Sequence, residues 1–202
     1  MIDNLDDYVS RETSEKLGQF AQLVEKWTAK INLISKSSIP NMWERHIQDS
    51  LQLYQHAPIG NHWVDLGSGG GFPAIVLGLM SQQDGRSTKF TLVESDQRKC
   101  AFLRTAIREL GLDASVINDR IEKIAPLKAD VLSARALADL KALLGFADLH
   151  LAENGVAVFP KGSNWKAEEA DAREAWHFEC DPIPSQTDPS AAVLRIKEIS
   201  HV

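Results

Sequence analysis

Apolar positions along this chain follow two periods, and the switch between them predicts its architecture. Leu17, Phe20, Ala21, Val24, Trp27, Thr28 and Ile31 fall at i, i+3, i+4 and i+7, which predicts an amphipathic helix from about Ser14 to Lys30. Trp43, Ile47, Leu51 and Tyr54 continue the helical spacing and predict a second helix over 40–56, with Ser38 as its cap. Pro58-Ile59-Gly60-Asn61 breaks the pattern. Beyond it, short apolar runs at 62–66, 89–94, 114–118, 129–134 and 155–159 predict five strands. Helical stretches begin at Ile75, after the Ser95-Asp96 cap, at Leu137 and at Ala167. Residues 178–183 and 191–199 predict a closing antiparallel pair, joined by a mobile loop over 185–190. Strands alternating with helices imply an α/β fold, a mostly parallel sheet with helices on both faces, whose ligands collect at the carboxyl ends of the strands. Residues 1–57 are too few to bury a core alone, so they are expected to cap a core of residues 58–202 within a single domain of 1–202.

The first of these turns carries the strongest chemical signal. Val64-Asp65-Leu66-Gly67-Ser68-Gly69-Gly70-Gly71-Phe72-Pro73-Ala74 reads as strand, tight turn and helix, with Pro73 at the first helical position. Such a turn presents backbone N–H groups at a helix N-terminus. A phosphate-binding P-loop requires Lys-Ser or Lys-Thr after the glycines, and neither follows Phe72. A dinucleotide fingerprint can be forced onto Gly69 to Ala74, but Asp65 would then face a pyrophosphate. A cationic cofactor without phosphate tolerates that carboxylate. The second strand ends at Glu94, a carboxylate able to take both hydroxyls of a ribose. Asp65, the glycines including Gly67 and Gly69, and Glu94 together resemble the S-adenosylmethionine site of Rossmann-like methyltransferases.

Composition narrows the setting. The chain has 202 residues, 44% hydrophobic and 25% charged, which are ordinary globular values. No run approaches a membrane span, and Asp3, Asp6 and Asp7 are foreign to a signal peptide, so a cytoplasmic protein with no membrane partner is expected. Cys100 and Cys180 lack metal-ligand spacing; no metal is expected, and both thiols read as inert. The net charge of −6 argues against general nucleic-acid affinity. An RNA substrate then requires a local patch, and the cations Arg98, Lys99, Arg104 and Arg108 read as a solvated helix face rather than as that patch.

The remaining strand ends bear on the chemistry. The turn after the third strand is expected beside the adenine, with Ile121 to pack on its ring and Glu122 or a backbone group to take its amine, while Arg135 closes the fourth strand, free to face the reacting groups or to pair with Glu122 or Asp139. Lys161 ends the fifth strand, ready for an acceptor phosphate or for solvent. Ser133-Ala134-Arg135 is not the Asn/Asp-Pro-Pro-aromatic box of amino-group methylation, and no Pro-Cys nucleophile serves carbon-5 chemistry. A ring nitrogen such as guanine N7 has a free lone pair and needs no base, so the absence of an identifiable catalytic residue fits that acceptor.

Asn32-Leu33-Ile34, Arg45-His46-x-x-Asp49-Ser50, Gly67 to Pro73, Thr91 to Ser95, Ser133 to Ala136 and Lys161-Gly162 resemble the ribosomal small-subunit methyltransferase G family (RsmG, also GidB) over about residues 15–162. Ala74 replaces the family's usual Gly, Ile34 stands where Thr is common, and Pro160 precedes Lys-Gly in place of an apolar residue. The resemblance implies transfer of a methyl group from S-adenosylmethionine to guanine N7 in 16S ribosomal RNA, with the RNA or the small subunit as partner. It also implies cofactor contacts at Gly67, Phe72, Ile121, Glu122 and Arg135. Arg45, His46 and Lys161 are candidates for acceptor contact; a buried His46–Asp49 pair holding the cap on the core is an equal alternative. A methyltransferase of another substrate and a non-catalytic, cofactor-binding assembly factor stay open.

Overall fold

The computed structural model describes residues 8–202, so Asp3, Asp6 and Asp7 lie outside the described residues. Helix α1 (Arg11–Thr28) starts at Ser10, whose side chain accepts the Thr13 N–H at 3.2 Å. It buries Leu17, Phe20 and Val24 completely, worth about 5–9 kcal/mol of apolar burial before chain entropy is subtracted. The expected second helix is three pieces: a 3-10 turn (Lys36–Asn41), a π-helical turn (Trp43–Gln48) and helix α2 (Asp49–His56). Pro40 lacks an N–H to extend a helix, and the Ser38 hydroxyl folds back on the Ser35 carbonyl at 2.8 Å, so Ser38 is not a cap.

Strands β1 (His62–Leu66), β2 (Lys89–Val93), β3 (Ala114–Ile117), β4 (Ala129–Ala134), β5 (Leu151–Lys161), β6 (Trp176–Pro184) and β7 (Ala192–His201) form one sheet in the order β3-β2-β1-β4-β5-β7-β6. The pairs β1–β2, β1–β4, β2–β3 and β4–β5 are parallel, and β7 runs antiparallel to both neighbours. Helices α3 (Ala74–Gln83), α4 (Gln97–Leu110), α5 (Leu140–His150) and α6 (Trp165–Ala172) make the connections. Pro73 is the residue before α3 rather than its first.

Strand residues divide by parity between two cores. Trp63, Phe90, Leu92, Val131 and Val158 join α1, α2, α3 and α4 on one face, whereas Val64, Leu66, Val93, Leu132 and Phe159 join α5 on the other. The N-terminal helices therefore share a core with the sheet: Phe20 meets Phe72 at 4.9 Å between ring centroids, and Trp27 meets Phe102 at 5.7 Å. Strand order reverses between β1 and β4, and in such sheets the crevice opens at that point, outside the carboxyl ends.

Candidate active site

The loop between β1 and α3 occupies that crevice. Gly67 and Gly71 have φ of +66° and +83°, conformations that favour glycine, and at Gly71 a Cβ would also sit 2.7 Å from buried Ile75 Cγ1 and 3.1 Å from Phe20 Cζ. The turn is pinned by Ser68 N–H to the Val93 carbonyl at 3.1 Å and Gly71 N–H to the Ser68 carbonyl at 2.7 Å. Glu94, nearly buried, accepts the Gly69 N–H at 2.9 Å and the Asp96 N–H at 2.8 Å. Its carboxylate thus joins the glycine turn to the cap of α4.

Beneath the turn lies a buried polar chain. Trp63 Nε1–H donates to Ser133 Oγ at 2.9 Å, and the Ser133 hydroxyl donates to Asp65 Oδ1 at 2.6 Å. Asp65 is 1% exposed and its Oδ2 has no hydrogen-bond partner among the described residues. Burial pushes this carboxyl up to about 6, with the Ser133 hydrogen bond and the nearby Arg135 charge pulling the other way. An unpaired buried acceptor beside the glycine turn fits a cationic ligand and rejects a phosphate.

Arg135 leaves the end of β4 with its guanidinium 5.3 Å from the Phe72 ring centroid and 3.5 Å from Asp49 Oδ2. Its salt-bridge partner is therefore on the cap; it is neither Glu122 nor Asp139, and Asp139 instead caps α5 by accepting the Ala142 N–H at 2.9 Å. Ala136, the next residue, has φ +52°, a costly conformation for a residue with a Cβ. The Phe72 ring also stacks with His46 at 5.0 Å.

The tautomer of His46 follows from its neighbours. Ser38 gives its single hydroxyl proton to the Ser35 carbonyl at 2.8 Å, so the 3.0 Å contact between Ser38 Oγ and His46 Nε2 has the ring as donor. Nδ1 is then an unprotonated acceptor, buried and unpartnered among the described residues. Burial first, then the charges of Arg135 and Arg45, hold the imidazole down to about 4. His46 is neutral at physiological pH, and it does not pair with Asp49.

A cleft of about 1180 Å³ gathers Gly67, Gly69, Phe72 and Arg135 from the sheet with Arg45 and His46 from the cap and Lys161 from β5. Lys161 is neither solvated nor free: it pairs with Glu168 at 2.5 Å and donates to the Ala138 carbonyl at 3.0 Å. Ile121 and Glu122 lie on a 3-10 turn (Ile121–Lys123) after β3, outside that lining, with Ile121 buried and Glu122 exposed. The 185–191 segment forms one wall of the cleft, and Gln52 and Asp49 contact it by side-chain hydrogen bonds. Cys100 is buried, its thiol donating to the Glu94 carbonyl at 3.2 Å, and burial pushes the Cys180 thiol up to about 11. Neither is activated. Among the described residues no group of three or more His, Cys, Asp and Glu is placed to hold a metal ion, and no helix is long and apolar enough to cross a membrane.

Residues 13–186 match the model of the GidB family, described as rRNA small subunit methyltransferase G. The chain belongs to that family. It is 53% identical over 199 residues to the ribosomal RNA small subunit methyltransferase G of Ruegeria sp. (strain TM1040), covering 98% of this chain and 97% of the relative. The corresponding protein of Paramagnetospirillum magneticum (strain ATCC 700264 / AMB-1) is 47% identical over 193 residues, covering 95% and 92%. Among solved structures, a SAM dependent methyltransferase from Aquifex aeolicus aligns with a TM-score of 0.57 at 14% identity, covering 81% of this chain and 93% of that one. A mutant of MtNAS in complex with S-adenosylmethionine aligns at 0.59 and 17% identity, covering 91% and 74%. These two establish the fold class.

The contacts of three residues in this family member were not legible in the sequence. Gln52 sits among the buried Leu51, Leu53 and Tyr54, and a polar residue inside that run was the available signal. Ser133, in an otherwise apolar strand, was a similar one. Asp49 was visible as part of a motif, but its partner Arg135 is 86 positions away and nothing local announces it.

Proposed function

We propose that the protein transfers the methyl group of S-adenosylmethionine to N7 of a guanine in 16S ribosomal RNA, acting on the RNA or the small subunit in the cytoplasm. The observation that carries this reading is the nearly full-length match to relatives described as ribosomal RNA small subunit methyltransferases. The site supports the cofactor: the glycine turn, the Glu94 carboxylate and the unpaired Asp65 oxygen suit a ligand with a ribose and a positive charge but no phosphate. In this reading Gly67, Gly69, Phe72, Glu94, Ile121, Glu122 and Arg135 hold the cofactor, and Arg45, His46 and Lys161 stand toward the acceptor. The shared core of α1, α2 and the sheet supports treating 1–202 as one unit, with 1–57 a cap on 58–202.

S-adenosylmethionine supplies an electrophilic methyl group on a sulfonium. The protein's share is to bring a guanine N7 lone pair into line with it and to exclude water. N7 carries no proton, so no side chain has to act as a base. The reaction would leave positive charge on the guanine, and the nearby carboxylates of Asp49 and Asp65 balance Arg135 so that the surroundings do not become net cationic. Neutral His46 avoids adding a cation there.

The test is to incubate the protein with methyl-labelled S-adenosylmethionine and small subunits from cells lacking the gene, then digest the RNA to nucleosides. Label in 7-methylguanosine is expected. Label in another nucleoside, or none despite measured cofactor binding, refutes the acceptor and leaves a methyltransferase of another substrate or a binding protein.

A further inference from the structure

Gln52 is 1% exposed on a helix whose neighbouring positions are apolar, and burying a primary amide there without partners would cost about 2–7 kcal/mol. All its partners belong to two places. Nε2 donates to Asp49 Oδ1 at 2.8 Å, Ser185 Oγ at 3.2 Å and Thr187 Oγ1 at 3.4 Å, and Oε1 accepts the Gln186 N–H at 3.0 Å. Asp49 accepts on the same Oδ1 from the Thr187 hydroxyl at 3.1 Å, while its Oδ2 faces Arg135 at 3.5 Å. One carboxylate therefore touches both walls of the cleft: Arg135 over Phe72 on the inside and the 185–191 segment on the outside.

We propose that Asp49 and Gln52 are positioning residues for methyl transfer, fixing the Ser185–Ser190 loop as the wall against which the acceptor RNA sits and holding Arg135 in register with it. This rests on the RNA methyltransferase reading above. An apolar side chain at 52 would pack the helix without the amide's desolvation cost, so the amide serves the loop rather than the helix. The two oxygens of Asp49 divide the work, which separates the effects of two substitutions. Gln52→Leu frees the loop and leaves the Asp49–Arg135 pair. Asp49→Asn keeps an acceptor for Gln52 and Thr187 but removes the charge that faces Arg135.

The experiment measures labelled methyl transfer to small subunits, cofactor affinity by calorimetry and hydrogen exchange at the Gln186 amide, for wild type, Gln52→Leu, Asp49→Asn and Thr187→Val. Gln52→Leu is expected to raise KM for subunits about tenfold, the loss of one charge-coupled hydrogen-bond set, with kcat and cofactor affinity held and Gln186 exchanging faster. Asp49→Asn is expected to lower kcat about tenfold with a smaller change in KM. Thr187→Val, on the exposed loop, threatens folding least and is expected to raise KM about threefold. Unchanged KM and kcat with faster exchange would overturn the inference, leaving a purely structural latch. Losses of cofactor affinity that follow the melting temperature would overturn it too. Flat variants beside an active wild type reject this inference alone, whereas a wild type that transfers no label rejects the function on which it rests.

Discussion

Replacing Asp65 by Asn should make the protein more stable and less functional, and the structure sets the size of the gain. The carboxyl is 1% exposed, one oxygen is unpaired, and its pKa stands at about 6 against an ordinary 3.8. Between those values the folded protein binds more protons than the unfolded chain, so this group's contribution to stability falls as pH rises through the window, and above about 6 the full cost of its burial is felt. At about 1.4 kcal/mol for each pH unit of that gap, the ionised group costs the fold about 3 kcal/mol at neutral pH. Asn keeps the Ser133 hydrogen bond at the equivalent oxygen and carries no charge. Arg135 loses one of its two balancing carboxylates but keeps Asp49, which returns part of the gain. A net stabilisation of about 1–3 kcal/mol at pH 8, or about 2–12 °C in Tm, is expected, vanishing near pH 4. Urea unfolding of both proteins at pH 4, 6 and 8 measures it, and calorimetry of S-adenosylmethionine is expected to show binding weakened about tenfold. A variant destabilised equally at pH 4 and pH 8 would show that Asp65 is not held against its own desolvation.

Three further outcomes are expected. Glu94→Ala should weaken S-adenosylmethionine binding about 10–100-fold, since hydrogen bonds to a charged group are worth about 1.5–3 kcal/mol; unchanged affinity by calorimetry would remove the ribose assignment. Gly71→Ala should destabilise the fold by about 2–5 kcal/mol in urea unfolding, combining a left-handed residue with overpacking, because the added Cβ would stand 2.7 Å from Ile75 and 3.1 Å from Phe20. His46, held down to about 4, binds fewer protons folded than unfolded, so its contribution to stability is lost as pH falls from about 6.5 toward 4; His46→Gln should flatten that acid limb. An unchanged acid limb in the variant would contradict the tautomer and burial derived for the ring.

What the sequence made legible was local. The glycine turn with its flanking Asp65 and Glu94 lies within thirty residues, and residue type alone carries most of its meaning. The alternation of helices with strands was equally readable, because burial on both faces leaves near-continuous apolar runs, although those same runs hide which residue faces which core. The 40–56 pattern predicts one helix because a spacing of 3.6 residues does not distinguish an α-helix from adjoining 3-10 and π turns, which here accompany Pro40 and the serine hydroxyls. The pairings that organise the cleft were not readable. Asp49 with Arg135 and Gln52 with Gln186 join α2 to a strand end and a loop far along the chain, and Lys161 with Glu168 depends on how α6 turns back on β5; only Gln52 left a trace, as an amide amid leucines.

The placement of β7 between β5 and β6 has a consequence for how this enzyme family can diversify. Because β7 runs antiparallel to both, β6 points the same way as β5, and the β6–β7 hairpin delivers its tip to the edge of the sheet where the cleft lies. The rest of the wall is assembled from segments scattered over about 130 residues, most of them beside a helix or strand of the fold. The hairpin tip is a single short stretch with exposed residues, and hairpin tips accept insertions with little effect on the fold. Lengthening or exchanging it therefore offers a way to reshape one wall of the cleft while the glycine turn opposite is left as it is.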